Sequence, residues 1–267
     1  MIAYNKLLLI IIFVPAIILS QTIGEKLFED GEIFLSDGVE FFTYPIRADG
    51  SDWLIFGSSA AATYMLMHTD QKIFDGWGGI DRRTLNNDIW DIPTTYGIVQ
   101  YANIASLSTY AVGLVTGEDE IRKLGRLLFQ SLSYSGLSVM AFRIIAGRER
   151  PYSGDGPWKY NLFTLDNEIQ SFPSGHTTVA FAASTVLAEY FDTWYSRVFF
   201  YGLATLTAYA RIYNNQHWAS DVFFGALIGF AGGLFVIDQE SKRESISKKD
   251  NVNITPNGMG LSLKISF

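Results

Sequence analysis

Residues 173–191, PSGHTTVAFAASTVLAEYF, decide the fold. A proline, a serine and a glycine lead straight into a mostly uncharged apolar run, which predicts a helix opening at Ser174 and Gly175. Free backbone N–H groups and the positive end of the helix dipole gather at such a turn, so it favours an anion. Working outward, similar apolar stretches recur at 54–69, 92–117, 127–142, 198–210 and 222–237, joined by short polar connections. Their length and spacing favour helices over strands. The expected fold is all-α, a bundle of five or six core helices, large enough to bury a core of its own.

Two further strings flank this helix: RIIAGRERP at 143–151 and RIYNNQHWASD at 211–221. The chain holds three histidines, and two of them lie in the three strings, His176 in PSGH and His217 in the last. Written as patterns, the strings are R-x6-RP, PSGH and R-x5-H-x3-D, in that order, with 21 residues between the first and the second. Together they resemble the three-part signature of the type 2 phosphatidic acid phosphatases. That superfamily also includes bacterial non-specific acid phosphatases, glucose-6-phosphatase and the vanadium haloperoxidases. The first motif usually opens with lysine, where this chain has Arg143, and the third often opens Ser-Arg, where it has Ala210-Arg211. Taken singly, each motif reads as a cap, a turn or a core histidine. The ordered triple reverses that reading.

The residues carry the chemistry. An imidazole that attacks phosphorus must be neutral with one ring nitrogen free, and a carboxylate on the other N–H is the usual way to arrange this. Asp221 follows His217 by four residues, so on a helix the two would share a face. His217 is therefore the expected nucleophile and Asp221 its orienter. The leaving group needs a proton, which His176 is suited to give, as at the matching family position. Arg150 and Arg211 supply forks for phosphate oxygens, with Arg143, Ser174 and Gly175 completing the cradle. Arg143 keeps the family's charge but not its shape. This set implies phosphoryl transfer with neither metal nor cofactor.

Other residues receive plainer readings. His68 reads as a helix-terminal or surface histidine, Arg148 and Glu149 as solvated or ion-paired, and the spacing of Gly225 and Gly229 as a face for close helix packing. Residues 1–20 read as an export signal cleaved before Gln21, with an uncleaved anchor as the competing view. Residues 21–51 are a lead-in whose centre, 38–46, suits an edge strand or interfacial segment. Residues 52–238 form the helical domain, and 239–267 a polar tail in which 259–267 alternates as a strand. The loop 152–172, with Asp155, Asp166, Glu168 and several aromatics, is expected to frame the entrance.

The chain has no cysteine and a net charge of −7, which argues against a thiolate metal site and against non-specific nucleic-acid binding. Most of the apolar stretches fall short of the roughly 20 residues a spanning helix needs, but their glycines, alanines and aromatics suit a membrane. If they span, Arg122, Lys123, Arg126, Lys242, Arg243, Lys248 and Lys249 collect at the end away from the motifs. The positive-inside rule then turns the motifs to the periplasm. The expected function is a metal-independent phosphatase of the cell envelope acting on a phosphorylated lipid or small phosphomonoester. A vanadium-dependent haloperoxidase and a non-catalytic phosphate- or lipid-binding membrane protein are the alternatives.

Overall fold

The structure is a computed structural model that describes the backbone of residues 2–76, 91–166, 169–250, 252–257 and 260–265, and side chains within 23–76, 91–166 and 169–246. The helices are α1 (Ile2–Arg47), α2 (Gly50–Met67), α3 (Asp70–Gly76), α4 (Asp91–Tyr96), α5 (Val99–Thr116), α6 (Asp119–Ala146), α7 (Gly175–Phe191), α8 (Trp194–Tyr213) and α9 (Ala219–Asp250). The expected bundle is present, with α5 to α9 as its centre. The 173–191 segment becomes α7, packed against α6, α8 and α9.

Local chemistry sets the helix ends. Asp49 accepts from the N–H groups of Ser51 and Asp52, while Asp52 returns a bond to Asp49 N–H, a capping box that starts α2. Thr193 and Ser196 do the same for α8. Gly147 ends α6 in the left-handed region, φ 53°, and its N–H donates to the Arg143 carbonyl.

The interior is made of small and hydroxyl side chains as much as of large apolar ones. Leu127, Leu132, Tyr134, Val179, Ala182, Val186 and Val236 form the apolar core. Beside them Ser131 donates to the Ala182 carbonyl (3.3 Å), Thr178 to that of Gly225 (2.8 Å) and Ser184 to that of Phe200 (2.8 Å). Large apolar residues face outward instead, among them Leu54, Ile104, Val115, Met140, Val198 and Phe199. Burial of hydroxyls and exposure of Leu, Ile and Phe is the distribution expected where the surroundings are as apolar as the core.

The glycine spacing on α9 packs as expected. A Cβ on Gly229 would lie 2.3 Å from the Thr178 carbonyl oxygen and 2.8 Å from Ala182 N, and one on Gly225 2.6 Å from the Ser174 carbonyl oxygen. Since α7 backbone cannot yield as a flexible side chain would, Gly229→Ala is expected to cost about 1–3 kcal/mol. Thermal melting in detergent should show the loss, with Gly202→Ala, where a Cβ meets nothing within 4 Å, as the silent control.

Four expectations need correction. The 92–117 stretch is two helices: Gly97, where a Cβ would fall 2.6 Å from the His176 carbonyl oxygen, lets α7 approach, and Ile98 is extended (φ −75°, ψ 118°). Residues 38–46 are helical within α1 and form no edge strand, because Phe34 and Phe41 pack on Tyr134, whose hydroxyl donates to the Phe34 carbonyl (2.6 Å). α9 continues past 238 to Asp250, so the polar tail begins as helix. The terminal strand is β2 (Gly260–Ile265), and it pairs antiparallel with β1 (Val252–Asn257), a segment read as plain tail. Met259 and Phe267 lie outside the described residues, as do Glu168 of the entrance loop and the side chains of residues 1–20, 248 and 249.

The basic residues at the end away from the motifs are ion-paired. Arg122 and Arg126 meet Asp30 of α1 (2.5 and 3.0 Å), Arg126 also meets Glu240 (2.8 Å), and Arg243 meets Asp37 (2.7 Å). These pairs tie α1 to α6 and α9. The first motif, the PSGH turn and the third motif gather at the opposite end, where α6 and α8 finish and α7 and α9 begin.

Candidate active site

The site residues gather where helices start or stop and in the connections between them. Arg143 is in the last turn of α6, Arg211 in the last turn of α8, His176 in the first turn of α7 and Asp221 in the first turn of α9. Arg150 and His217 lie in the connections, at the ends of strings whose backbone is pinned: His217 N–H donates to the Arg211 carbonyl (3.3 Å), and Arg150 Nη1 to that of Gln216 (3.1 Å).

His217 is buried, and Nδ1 lies 2.7 Å from the Ser171 carbonyl oxygen. A carbonyl can only accept, so the proton is on Nδ1 and the lone pair on Nε2. Nε2 faces Arg150, whose Nη1 is 3.5 Å away. Burial holds the His217 pKa well below the ordinary histidine value, and the positive charges of Arg150, Arg211 and Arg143 push it further down. The ring is thus neutral, with its free nitrogen turned toward the guanidinium cluster.

The expected orienter is displaced. His217 precedes α9, which starts at Ala219, so the pair does not share a helix face. Asp221 Oδ2 is 3.7 Å from Nδ1, too long for a hydrogen bond. It accepts instead from the Ser171 hydroxyl, by a short bond, and from Trp218 N–H (2.9 Å). The group that fixes the tautomer is the Ser171 carbonyl, which spacing could not reveal because Ser171 is 46 residues from His217.

The cradle is also partly reassigned. Ser174 N–H donates to the Asp221 carbonyl (3.0 Å), which braces α7 against α9, and its hydroxyl pairs with that of Thr177 (2.9 Å), where either oxygen can be the donor. The N–H groups of Gly175, His176 and Thr177 precede the first bond of α7, from Thr178 N–H to the Ser174 carbonyl (3.0 Å), and remain the helix-end donors. A Cβ on Gly175 would sit 3.0 Å from Arg143 Nη2, so glycine there lets the guanidinium lie against the turn. Arg143 Nε donates to the Pro173 carbonyl (2.9 Å). Arg211 Nε is buried and finds no hydrogen-bond partner among the described residues, an orphan donor of the kind an anion satisfies.

A cavity of about 400 Å³ opens beside this cluster, lined by Arg143, Gly175, His176 and Gln170 at its polar end and by Val99, Val139, Met140 and Val179 along its length. The entrance loop folds back on the first motif, Glu149 N–H bonding the Lys159 carbonyl (3.0 Å) and Asn161 N–H that of Gly147 (2.8 Å). Trp158, Leu162, Phe163 and Leu165 point outward from it. His68 caps α2 and packs on Tyr64 and Trp158, ring centroids 4.8 and 4.9 Å apart, as a helix-terminal residue. Arg148, read as solvated or ion-paired, is ion-paired and fully buried.

This arrangement, helix ends gathering two histidines and three arginines in the expected order, coincides with a family model: the PAP2 superfamily matches residues 125–245. That segment belongs to the PAP2 superfamily. The chain is 50% identical over 66 residues to a lipid A 1-phosphatase of Porphyromonas gingivalis, covering 24% of this chain and 15% of that protein. It is 31% identical over 108 residues to a lipid A 1-phosphatase of Rhizobium etli, covering 40% of this chain and 46% of that one. The chain thus spans less than half the length of either relative. Among solved structures it resembles a transmembrane PAP2-type phosphatidylglycerolphosphate phosphatase from Bacillus subtilis, with a TM-score of 0.55 and 20% identity over 71% of this chain and 94% of that one. The likeness extends the PAP2 fold beyond the three motifs to most of the bundle.

One departure from the PAP2 pattern can be tested directly. Arg143→Lys restores the usual residue and keeps the charge, but it loses the bond to Pro173 and the plane set against Gly175. With a net hydrogen bond worth about 1–1.5 kcal/mol, kcat/KM should fall roughly fivefold to tenfold. Steady-state rates on one substrate measure it; a gain would mean the guanidinium is not seated on this turn.

Proposed function

We propose that the chain is a lipid phosphatase of the cell envelope that works through a phosphohistidine on His217. The observation that carries this is the Ser171 carbonyl oxygen 2.7 Å from Nδ1, which calls for the proton on that nitrogen and so leaves the Nε2 lone pair aimed at Arg150. Burial and the positive charges of Arg211, Arg143 and Arg150 hold the His176 pKa down to about 3, so the ring becomes an acid with the proton it takes from the bound phosphate monoanion. Nε2 then attacks phosphorus while His176 passes that proton to the departing oxygen, and the N–P bond forms as the P–O bond breaks. His176 then takes a proton from water, whose oxygen displaces Nε2 and regenerates the free ring. Arg143, Arg150, Arg211 and the opening N–H groups of α7 hold the phosphoryl oxygens through both steps.

The lipid reading rests on the apolar walls of the cavity beside His176, on the outward apolar faces of the helices and on the two lipid A 1-phosphatase relatives. Ala219–Ile246 is long and apolar enough to cross a membrane. Trp158, Leu162, Phe163 and Leu165 then sit at the interface, and the basic residues of the opposite end turn the site to the periplasm. Residues 1–20 serve export or anchoring.

Phosphate release in detergent with excess EDTA tests the reading. Short-chain phosphatidic acid should be hydrolysed with a higher kcat/KM than p-nitrophenyl phosphate. Equal turnover of soluble and lipid substrates would remove the lipid specificity, and loss of activity in EDTA would remove the histidine mechanism.

A further inference from the structure

We propose that Arg148, with Asp70 as its charge partner, is the positioning residue that holds His217 in its attacking orientation; this rests on the phosphatase reading above. Arg148 lies at a position of the first motif that the pattern leaves free, and Asp70, in α3, belongs to no motif. Both are fully buried. Arg148 Nη1 donates to Asp221 Oδ1 (2.6 Å) and to Ser220 Oγ (2.8 Å), Nη2 to Asp70 Oδ2 (2.8 Å) and Nε to the Pro157 carbonyl (2.8 Å). Its own carbonyl accepts from Ser171 N–H (2.8 Å). One residue therefore fixes both groups that back His217: Ser171 through its main chain and Asp221 through its guanidinium.

Asp70 completes the frame. Oδ1 accepts from Ser220 N–H (3.0 Å) and Oδ2 from the Ser220 hydroxyl (2.5 Å), which anchors the start of α9 next to Asp221. Burying three charges is an expensive way to hold a fold together, since desolvation cancels most of the attraction. The arrangement has a different use at this place. One guanidinium and two carboxylates leave a net negative charge on the Nδ1 side of His217, opposite the Arg150 guanidinium that faces Nε2. As Nε2 attacks, the ring becomes cationic, and that charge is met without any group moving. A lysine at 148 could not span these acceptors, because its three donors share a single point.

The experiment compares Asp70→Asn and Arg148→Lys with the native chain in detergent, reading kcat, KM, orthovanadate affinity, melting temperature and the His217 tautomer from ring ¹⁵N shifts. With the nucleophile slightly misplaced but the arginine cradle intact, kcat should fall about 10- to 100-fold, Arg148→Lys the more, while KM and vanadate affinity stay within roughly threefold. Arg148→Lys should also turn the single Nδ1–H tautomer into a mixture. Unchanged kcat overturns the proposal, and so does a parallel loss of kcat, vanadate affinity and melting temperature, which marks a purely structural role. The tautomer arm needs no turnover: if the native chain hydrolyses nothing, the phosphatase reading fails, while a tautomer shift in Arg148→Lys still upholds the positioning and its absence defeats it.

Discussion

His217→Ala is expected to lower phosphate release by about 10⁴-fold or more, because a missing nucleophile leaves only binding and electrostatic stabilisation. The binding itself should survive. The ring contributes one long contact to Arg150, at 3.5 Å, while Arg143 and the opening N–H groups of α7 are positioned by bonds that do not involve it: Arg143 by the Pro173 carbonyl and α7 by Ser174 and Asp221. Orthovanadate, a phosphate mimic, should therefore bind the variant within roughly tenfold of the native chain, the value of one lost hydrogen bond. Turnover and vanadate affinity measured on the same preparation give both numbers. A variant that keeps turnover would move the nucleophile elsewhere, and one that loses vanadate with activity would make His217 part of the pocket wall.

His176→Ala is expected to separate the two chemical steps. Loss of a general acid and base costs about 10²- to 10⁴-fold, and a lipid alkoxide, which leaves poorly without a proton, should show the full effect. p-Nitrophenolate leaves without help, so phosphorylation of His217 by p-nitrophenyl phosphate should be slowed far less than the hydrolysis that follows. The variant should then release a burst of nitrophenolate equal to its active sites and stall as the phosphoenzyme. Rapid mixing measures the burst. Equal loss on both substrates, with no burst, would take His176 out of the proton-transfer role and leave it as a packing residue against Gly97.

The sequence makes the contents of this site legible and leaves its bracing hidden. Arg143, Arg150, His176, Arg211, His217 and Asp221 can be read because each motif is a local string whose spacing survives folding. The Ser171 carbonyl cannot, since main-chain acceptors leave no trace in residue identity. Arg148 and Asp70 stay out of sight because their partners are distant: Asp70 is 78 residues from Arg148 and 150 from Ser220. Asp221 illustrates the hazard of spacing, for the four-residue offset from His217 suggests one helix face, yet the helix begins between them.

The fold divides in the same way. The bundle helices are legible from apolar stretches, and the α7–α9 contact from the glycines at 225 and 229. Residues 38–46 mislead because phenylalanine, tyrosine and proline crowd together there, and only the packing of Phe41 on Tyr134 and Phe235 makes the segment helical. Likewise the basic residues near 122 and 243 look free until Asp30 and Asp37 of α1 arrive beside them.

The most direct test of the account is to look for the phosphoenzyme. His176→Ala protein mixed with ³²P-labelled p-nitrophenyl phosphate, whose leaving group needs no proton, and quenched in alkali should carry a label that is stable to base, lost in acid and confined to the peptide containing His217. Label on another residue, or label that persists after His217 is also replaced by alanine, would contradict the mechanism.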